Sequence, residues 1–524
     1  MHHGLHDDST SLEEIASIEH EDKLQSQPGT THHLPHDVSI ISKQSDSDPP
    51  SPIIGQSIVE ATSLELAQPS GPPLIQRLPI DLLFEIFIRC LPHDDFQRPN
   101  KHEAPLLLAQ VCTLWRKISL DTRMLWASLE IPTEGQSSDG ETLSPLVDLN
   151  DLWLSRSGQC PLSLSLRNDC IRVLDTIRTH STHLRRLKMT VSERDCIVLP
   201  DDVHLPLLET FEMFTEESLE PDLVQSLSCC LKAAPRLKSF TWTNDLAHAL
   251  QIKLNWSNLT HIKLNTVIDL QDFLPMFSEA KVMTHITFGF IMTGHTAVYS
   301  SVVLPELRSL IICAGDNPGP VFDAITTPKL KELFINSRYF WPHSSVLAFL
   351  QRSACPLESF NLYFPPLNEA QFIKCLKTVQ RTLKEFTIHC EHPVVTDDIL
   401  EWLTDTGNED ILCPKVEVIA LYDCISCSPG QVATMAQSRL KPDVQGEVQA
   451  TAKATCVSLK VIEMYDIETE ARHLRPLRSL GLILKVYSAS GAEIEMEPED
   501  VDRLRRLREE GLVMSDYEWI AFKE

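Results

Sequence analysis

Positive charge is in short supply. Lys and Arg number 46 against 73 Asp and Glu in 524 residues, a formal net charge of −27. Nucleic acid and anionic membrane both need clustered cations, so neither is expected as a partner. A leader is not visible either: MHHGLHDDSTSLEEIASIEHEDK is acidic and has no apolar h-region, so no secretory signal is expected. No run of about 18 uncharged apolar residues occurs, and no transmembrane helix is expected. The 15 cysteines are an odd number scattered along a long chain, unlike the disulfide framework of a small secreted domain. A reducing compartment, cytoplasmic or nuclear, is the expectation.

Catalytic signatures are lacking as well. There is no Gly-rich phosphate loop, no nucleophile-elbow Ser and no paired-His metal helix. Cys424 and Cys427 form one C-x-x-C, but a structural zinc site needs a second pair, and only Cys413 and Cys456 lie nearby. With 73 acidic residues, chance pairs of carboxylates are certain and identify no catalytic dyad. No catalytic residue, metal ligand or cofactor is assigned, and the chain is not expected to be an enzyme.

What is present begins with a polar tail. Residues 1–72 are rich in Ser, His, Pro, Asp and Glu and carry only Lys23 and Lys43 as basic residues. They have too little to bury, so a disordered acidic tail is expected. Ser45, Ser47 and Ser51 sit in acidic or proline-directed contexts that suit phosphorylation, although an unmodified tail accounts for them equally.

The texture then changes. In LPIDLLFEIFIRCLP, residues 78–92, Asp81, Glu85 and Arg89 recur at i, i+4 and i+8 and make one narrow polar stripe. Nearly every other position is apolar, so the helix must bury two sides. After a polar loop, Leu107, Val111, Leu114, Trp115 and Ile118 recur at helical spacing, and Met124, Leu125 and Trp126 mark a third short element. A small helical unit over 74–131 is predicted.

Beyond residue 160 a repeat takes over. An apolar residue, two variable ones, an apolar residue, one variable and another apolar residue recur eleven times, from Leu184-Leu187-Met189 to Leu459-Ile462-Met464. Successive copies stand 24, 29, 22, 24, 24, 23, 27, 26, 33 and 43 residues apart. The close-set apolar pair suits a strand buried on one side, and spacers such as PDLVQSLSCCLKAA, SSVLAFLQRSA, NEAQFIKCLKTVQ and TDDILEWLTD read as helices. One strand and one helix per repeat of about 25 residues is the pattern of leucine-rich repeats. The expected α/β fold is thus a small all-α unit followed by a solenoid over 160–490, with parallel strands concave, helices convex, and a capping segment over 491–524. The Asn usual after each strand is mostly missing, apart from positions such as Asn265 and Asn336.

By strand parity, residues between the buried positions face the concave side. Arg186, Lys188, Phe214, His261, Lys263, Phe334, Tyr363 and Tyr422 are the candidates for binding a partner, with Glu212, Thr241, His285, Asn361 and His389 on the same face. A plain solvated sheet face remains the alternative for each.

Residues 75–131 also carry a resemblance. The Leu78-Pro79 opening, the apolar helix, then Val111-Cys112-x-x-Trp115-Arg116 and the later Leu125-Trp126 follow the order of the F-box-like domain, and the segment is similar to its fungal form. The charged loop between the helices is longer than in the short F-box. The resemblance implies docking on a Skp-type adaptor, and through it on a cullin–RING ubiquitin ligase, by Leu78, Pro79, Leu82, Leu83, Ile86, Phe87, Val111, Cys112 and Trp115. Which of these face the adaptor and which the unit's own core is left open by the sequence. With the repeats, the implied function is that of a substrate receptor whose partner subunits carry out ubiquitin transfer. The competing reading is a leucine-rich-repeat scaffold, not coupled to ubiquitination, in which the helical unit makes another contact or only caps the array. The protein substrate is not named by any of these residues.

Overall fold

Pro79 stands just before α1 (Ile80–Arg89), where its missing N–H removes no helical hydrogen bond. Asp81 in the first turn and Arg89 in the last complement the helix dipole. Extended Cys112 separates α2 (Leu108–Val111) from α3 (Thr113–Asp121), and its Sγ accepts a hydrogen bond from the Trp115 N–H at 3.5 Å. A 3-10 turn, Arg123–Trp126, then carries Trp126 into the core. Its indole N–H donates to the Ser119 carbonyl at 2.8 Å. Trp153, from α4 (Ser144–Ser157), meets it edge-on at 4.8 Å and donates to the Ser128 carbonyl. The two indoles thereby join the helical segment to the sheet.

This computed structural model describes residues 78–92, 96–131, 144–167, 170–191, 203–215, 221–243, 252–292, 301–407, 410–440, 456–465, 468–487 and 493–495, and the single positions 500, 503 and 506. Contacts divide the chain at Pro72, and every described residue belongs to the second unit, Pro73–Glu524. The expected tail over 1–72 lies outside the described residues, as does most of the expected capping segment over 491–524.

The strands run in chain order. First come β1 (Ser128–Ile131), β2 (Leu162–Arg167), β3 (Leu184–Val191), β4 (Thr210–Thr215), β5 (Ser239–Thr243) and β6 (His261–Asp269). Next are β7 (His285–Met292), β8 (Val302–Val303), β9 (Ser309–Ala314), β10 (Ile325–Thr326), β11 (Glu332–Asn336) and β12 (Ser359–Tyr363). The series closes with β13 (Glu385–His389), β14 (Val418–Tyr422), β15 (Val461–Tyr465), β16 (Ile483–Tyr487) and β17 (Glu493–Glu495). Fifteen of them form one sheet in sequence order, while β8 and β10 pair separately. All pairs in the large sheet are parallel except β16 with β17, which is antiparallel. Mixed α/β structure with a long parallel sheet is what a repeat solenoid requires.

The repeat explains the register. Every apolar member of the eleven copies is at most 2% exposed, from Leu184 and Leu187 to Ile462 and Met464. Because side chains alternate, a one-residue slip would turn each of these into solvent, so the register is strongly fixed. Helices occupy the four spacers where they are expected: Pro221–Lys232, His343–Ser353, Glu369–Val379 and Asp397–Leu403. They lie on the apolar face; Phe372 of Glu369–Val379, for example, meets Phe386 of β13 edge-on at 5.9 Å.

Two features at the ends escaped the repeat pattern. The sheet starts at β1, within 74–131, and β1 pairs in register with β2. The last parallel strand, β16, was hidden because Gly481 stands where its first apolar residue would fall.

One polar device recurs along the array. The residue ahead of each strand donates its N–H to the equivalent carbonyl of the preceding repeat, as in Lys331 to Arg308, Glu358 to Lys331, Lys384 to Glu358, Glu417 to Lys384 and Lys460 to Glu417. Charges alternate there and pair: Glu358 holds Lys331 at 2.9 Å and Lys384 at 2.7 Å, and Glu417 holds Lys460 at 2.8 Å.

Candidate functional site

Two surfaces hold the candidate residues, and α1 carries the first. Leu83 and Phe87, one turn apart, are completely buried. Phe87 packs on the Trp115 ring at 4.8 Å. Leu82 and Ile86, also one turn apart, are exposed to 51% and 36%, and Ile80 to 63%. Ile80 and Phe84 line a groove of about 410 Å³ with Leu114, Ile118 and Met124, rimmed by Lys117, Asp121 and Arg123. The helix therefore has one apolar side covered and another open, which the sequence could not apportion.

The nine adaptor candidates separate accordingly. Leu82, Ile86, Val111 and Pro79 are exposed, and Leu78, Cys112 and Trp115 are half-buried. Leu83 and Phe87 lie in the core, so they can shape the outer face only from beneath. Exposed Leu107, Leu120 and Met124 add apolar surface that was not among the candidates. The missed signal was burial, which periodicity alone does not supply when apolar residues ring a helix.

The second surface is the sheet face opposite the helices. Parallel register sets its side chains in three rows. One row runs through Arg186, Thr210, Ser239, His261, His285, Ser309, Glu332, Ser359 and Glu385. The next holds Lys188, Glu212, Thr241, Lys263, Thr287, Ile311, Phe334, Asn361 and Thr387. A third is aromatic in its later half: Tyr363, His389 and Tyr422 lie in register, and Tyr465 pairs with Tyr487.

The early half of this face is polar. His261 and Lys263 are exposed, while Arg186, Lys188 and Phe214 are half-buried. Arg186 sits over the Phe96 ring at 5.3 Å. The His261 and His285 rings stack at 4.3 Å, each with Nδ1 bonded to the preceding threonine hydroxyl. Burial lowers both pKa values, aided by His285 in the first case and by Arg308 in the second.

The later half is a run of rings. Phe334 stacks on Tyr363 at 4.8 Å, Phe364 lies 4.3 Å from His389, and Tyr422 lies 5.0 Å from Tyr465. Here parity alone misjudges exposure. Tyr422 is only 5% exposed and donates its hydroxyl to Glu463 Oε2 at 3.0 Å, so its ring supports the face and does not offer itself to solvent. Asn361 and His389 share the face and are buried too. Desolvation lowers the His389 pKa against the opposing pull of Asp423 and Glu391.

Phe364 and Asp423 follow β12 and β14 with φ of 55° and 52°. A left-handed backbone is an outlier for phenylalanine, and such strain persists only where surroundings impose it. Both residues grip His389: Phe364 by its ring, and Asp423 by Oδ2 at 3.2 Å from Nε2. Sequence parity missed Phe364, Asp423, Tyr465, Tyr487, Glu463 and Lys485. Tyr465 was within reach, since it follows Met464 as Tyr422 follows Leu421.

The cysteines near the C-x-x-C are engaged separately. Cys424 Sγ contacts the Ile388 carbonyl, Cys413 Sγ the Leu376 carbonyl, and Cys456 Sγ lies 2.9 Å from Asp405 Oδ2. Among the described residues no three His, Cys, Asp or Glu gather as a metal site would need, and no helix is long and apolar enough to cross a membrane.

No family model matches the chain. No curated protein matches it. Among solved structures it is similar to the crystal structure of the Rad7 and Elc1 complex from yeast, at 14% identity over 66% of this chain and 88% of that one, with a TM-score of 0.27. A likeness of that size fixes neither family nor function.

Proposed function

We propose that the chain is a substrate receptor of a Skp–cullin–F-box ubiquitin ligase: the helical unit docks on a Skp-type adaptor, and the repeat sheet binds the protein to be modified. The observation that carries this reading is the open apolar side of α1. Leu82 and Ile86, one turn apart, stay exposed although Leu83 and Phe87, about 100° round the helix, are fully packed, and Ile80 is exposed at the helix start. An apolar patch of that kind on a net-acidic protein suits a protein partner, and the order of motifs over 75–131 suggests which one. The receptor itself is non-catalytic; its contribution is to raise the effective concentration of a substrate lysine near a ubiquitin thioester held by partner subunits. Cytoplasm, nucleus or both are the matching locations.

The test is co-purification of the full chain with a Skp-type adaptor, wild type against Leu82→Asp with Ile86→Asp. Both side chains are exposed, so the double variant should keep its thermal unfolding temperature while losing the adaptor. Retained adaptor binding would overturn the reading. Leu83 and Phe87 are unsuitable for this test, because a charge there disrupts the core.

A second reading, a leucine-rich-repeat scaffold not coupled to ubiquitination and capped by the helical unit, is favoured by one feature. Trp126 and Trp153 bind the helices to β1 as a solenoid cap would be bound. It is the reading left standing if the folded chain recruits no adaptor.

A further inference from the structure

Most charges flanking the sheet are matched. Lys331, Glu358 and Lys384 neutralise one another, Glu417 holds Lys460, Glu306 holds Lys329, and Glu463 holds Lys485. Glu332 and Asp423 differ. Both are exposed on or beside the open face of β11–β16, and neither carboxylate has a Lys or Arg partner among the described residues. Asp423 lies 3.2 Å from His389 Nε2, and burial lowers the pKa of that imidazole. Glu385, in register with Glu332 through Ser359, adds a third acid, bonded to the Ser359 hydroxyl. This part of the face is short of cations.

It is also rich in rings. Phe334, Tyr363, Phe364, Tyr465 and Tyr487 are half-buried, and the loop after β11 presents Tyr339 at 70% and Phe340 at 47% exposure. The chain supplies an internal example of what such a surface takes. The Arg338 guanidinium lies 5.6 Å from the Phe364 ring centroid and pairs with Glu391. Asp423 and Tyr465 both contact His389, so a carboxylate and a ring come together there too, with no guanidinium between them among the described residues. Asn361, 1% exposed in the same sheet segment, has a side-chain oxygen with no hydrogen-bond donor among the described residues. The strained backbones of Phe364 and Asp423 hold both groups against His389.

We infer that the open face of β11–β16 is a binding surface for an extended, Lys- or Arg-bearing segment of a partner protein, with cations seated on the Tyr and Phe rings and paired with Asp423 and Glu332. It rests on the receptor reading only for the fate of the bound partner; the contact itself requires no adaptor. The specificity is for cationic side chains among aromatic ones, and an acidic or phosphorylated segment would be repelled.

The experiment uses the full-length chain on an array of short random-sequence peptides at physiological ionic strength. Bound peptides should be enriched in Lys and Arg over unbound ones. Asp423→Asn keeps a residue that tolerates the left-handed backbone, and it should weaken the best peptides about tenfold, as should Tyr465→Leu, while Tyr465→Phe retains binding. Tyr339→Ala, at an exposed loop site, guards against a folding artefact and should weaken binding as well. Glu279→Gln, exposed and remote from this face, removes the same charge and should change nothing. The inference falls if bound peptides are no richer in cations, if none binds, or if Glu279→Gln matches Asp423→Asn. Leu82→Asp with Ile86→Asp should leave peptide binding intact, so this failure and that of the receptor reading are told apart.

Discussion

Lys485 Nζ lies 2.8 Å from Glu463 Oε1, and the two side chains are only 5% and 3% exposed. They stand in register on β16 and β15, on the face opposite the helices, and Tyr422 donates to the other Glu463 oxygen. A pair so thoroughly desolvated is a poor source of net stability, yet breaking it is costly because one charge is left alone.

Lys485→Met is therefore expected to destabilise the fold by about 3–5 kcal/mol. Adding Glu463→Gln should recover much of that loss by removing the stranded carboxylate. Urea unfolding of both variants measures it; a double variant no more stable than the single one would contradict the pairing.

Glu385 gives a pH-dependent prediction. Burial raises its pKa to about 7, with Glu332 and Glu463 adding to the effect and the Ser359 hydroxyl opposing it. In the unfolded chain it titrates near 4.3 or so. Between those values the folded state holds a proton that the unfolded state has lost. The stabilising contribution is thus complete below the lower value and disappears as pH rises through about 7. Glu385→Gln should match wild type near pH ~4 and exceed it by about 1–3 kcal/mol above pH ~7. Thermal unfolding across that range would show the two curves diverging.

Arg439 is wholly buried and donates to three backbone carbonyls, those of Leu403, Leu412 and Cys413. They lie at the end of the helix Asp397–Leu403 and in the connection from it to β14. Arg439→Met fills similar space but leaves those acceptors without donors, at about 1–3 kcal/mol each where water cannot replace them. Proteolysis should then begin within that connection, detectable by fragment mass.

Gly289 lies in β7 where its pairing with β6 shifts register. A Cβ there would stand 2.6 Å from the Asn265 Cα, and backbone cannot yield as a side-chain tip can. Gly289→Ala should cost about 1–3 kcal/mol. Calorimetry on the single variant is sufficient, since no titratable group or ligand is involved.

The array was legible because its signal is redundant. Eleven copies of one apolar spacing fix strands, faces and register together, and no single substitution can blur them. Where the spacing fails, so does the reading: Gly481 conceals β16, and Trp126, taken with the helical unit, conceals that β1 begins the sheet. The open face was legible only in part. Parity placed Phe334, Tyr363 and Tyr422 on it, yet Tyr422 is enclosed by His389, Tyr465, Tyr487 and Glu463, all distant in sequence.

The same division holds for LPIDLLFEIFIRCLP. The sequence determined by itself that its helix carries more apolar sides than a small unit can cover, because composition and a 100° step suffice for that. Only tertiary packing decided that Leu83 and Phe87 meet the core and that Ile80, Leu82 and Ile86 stay open. The physical reason is common to both surfaces. Local spacing fixes which side chains share a face, whereas solvent, rings and charges reaching that face come from residues far along the chain.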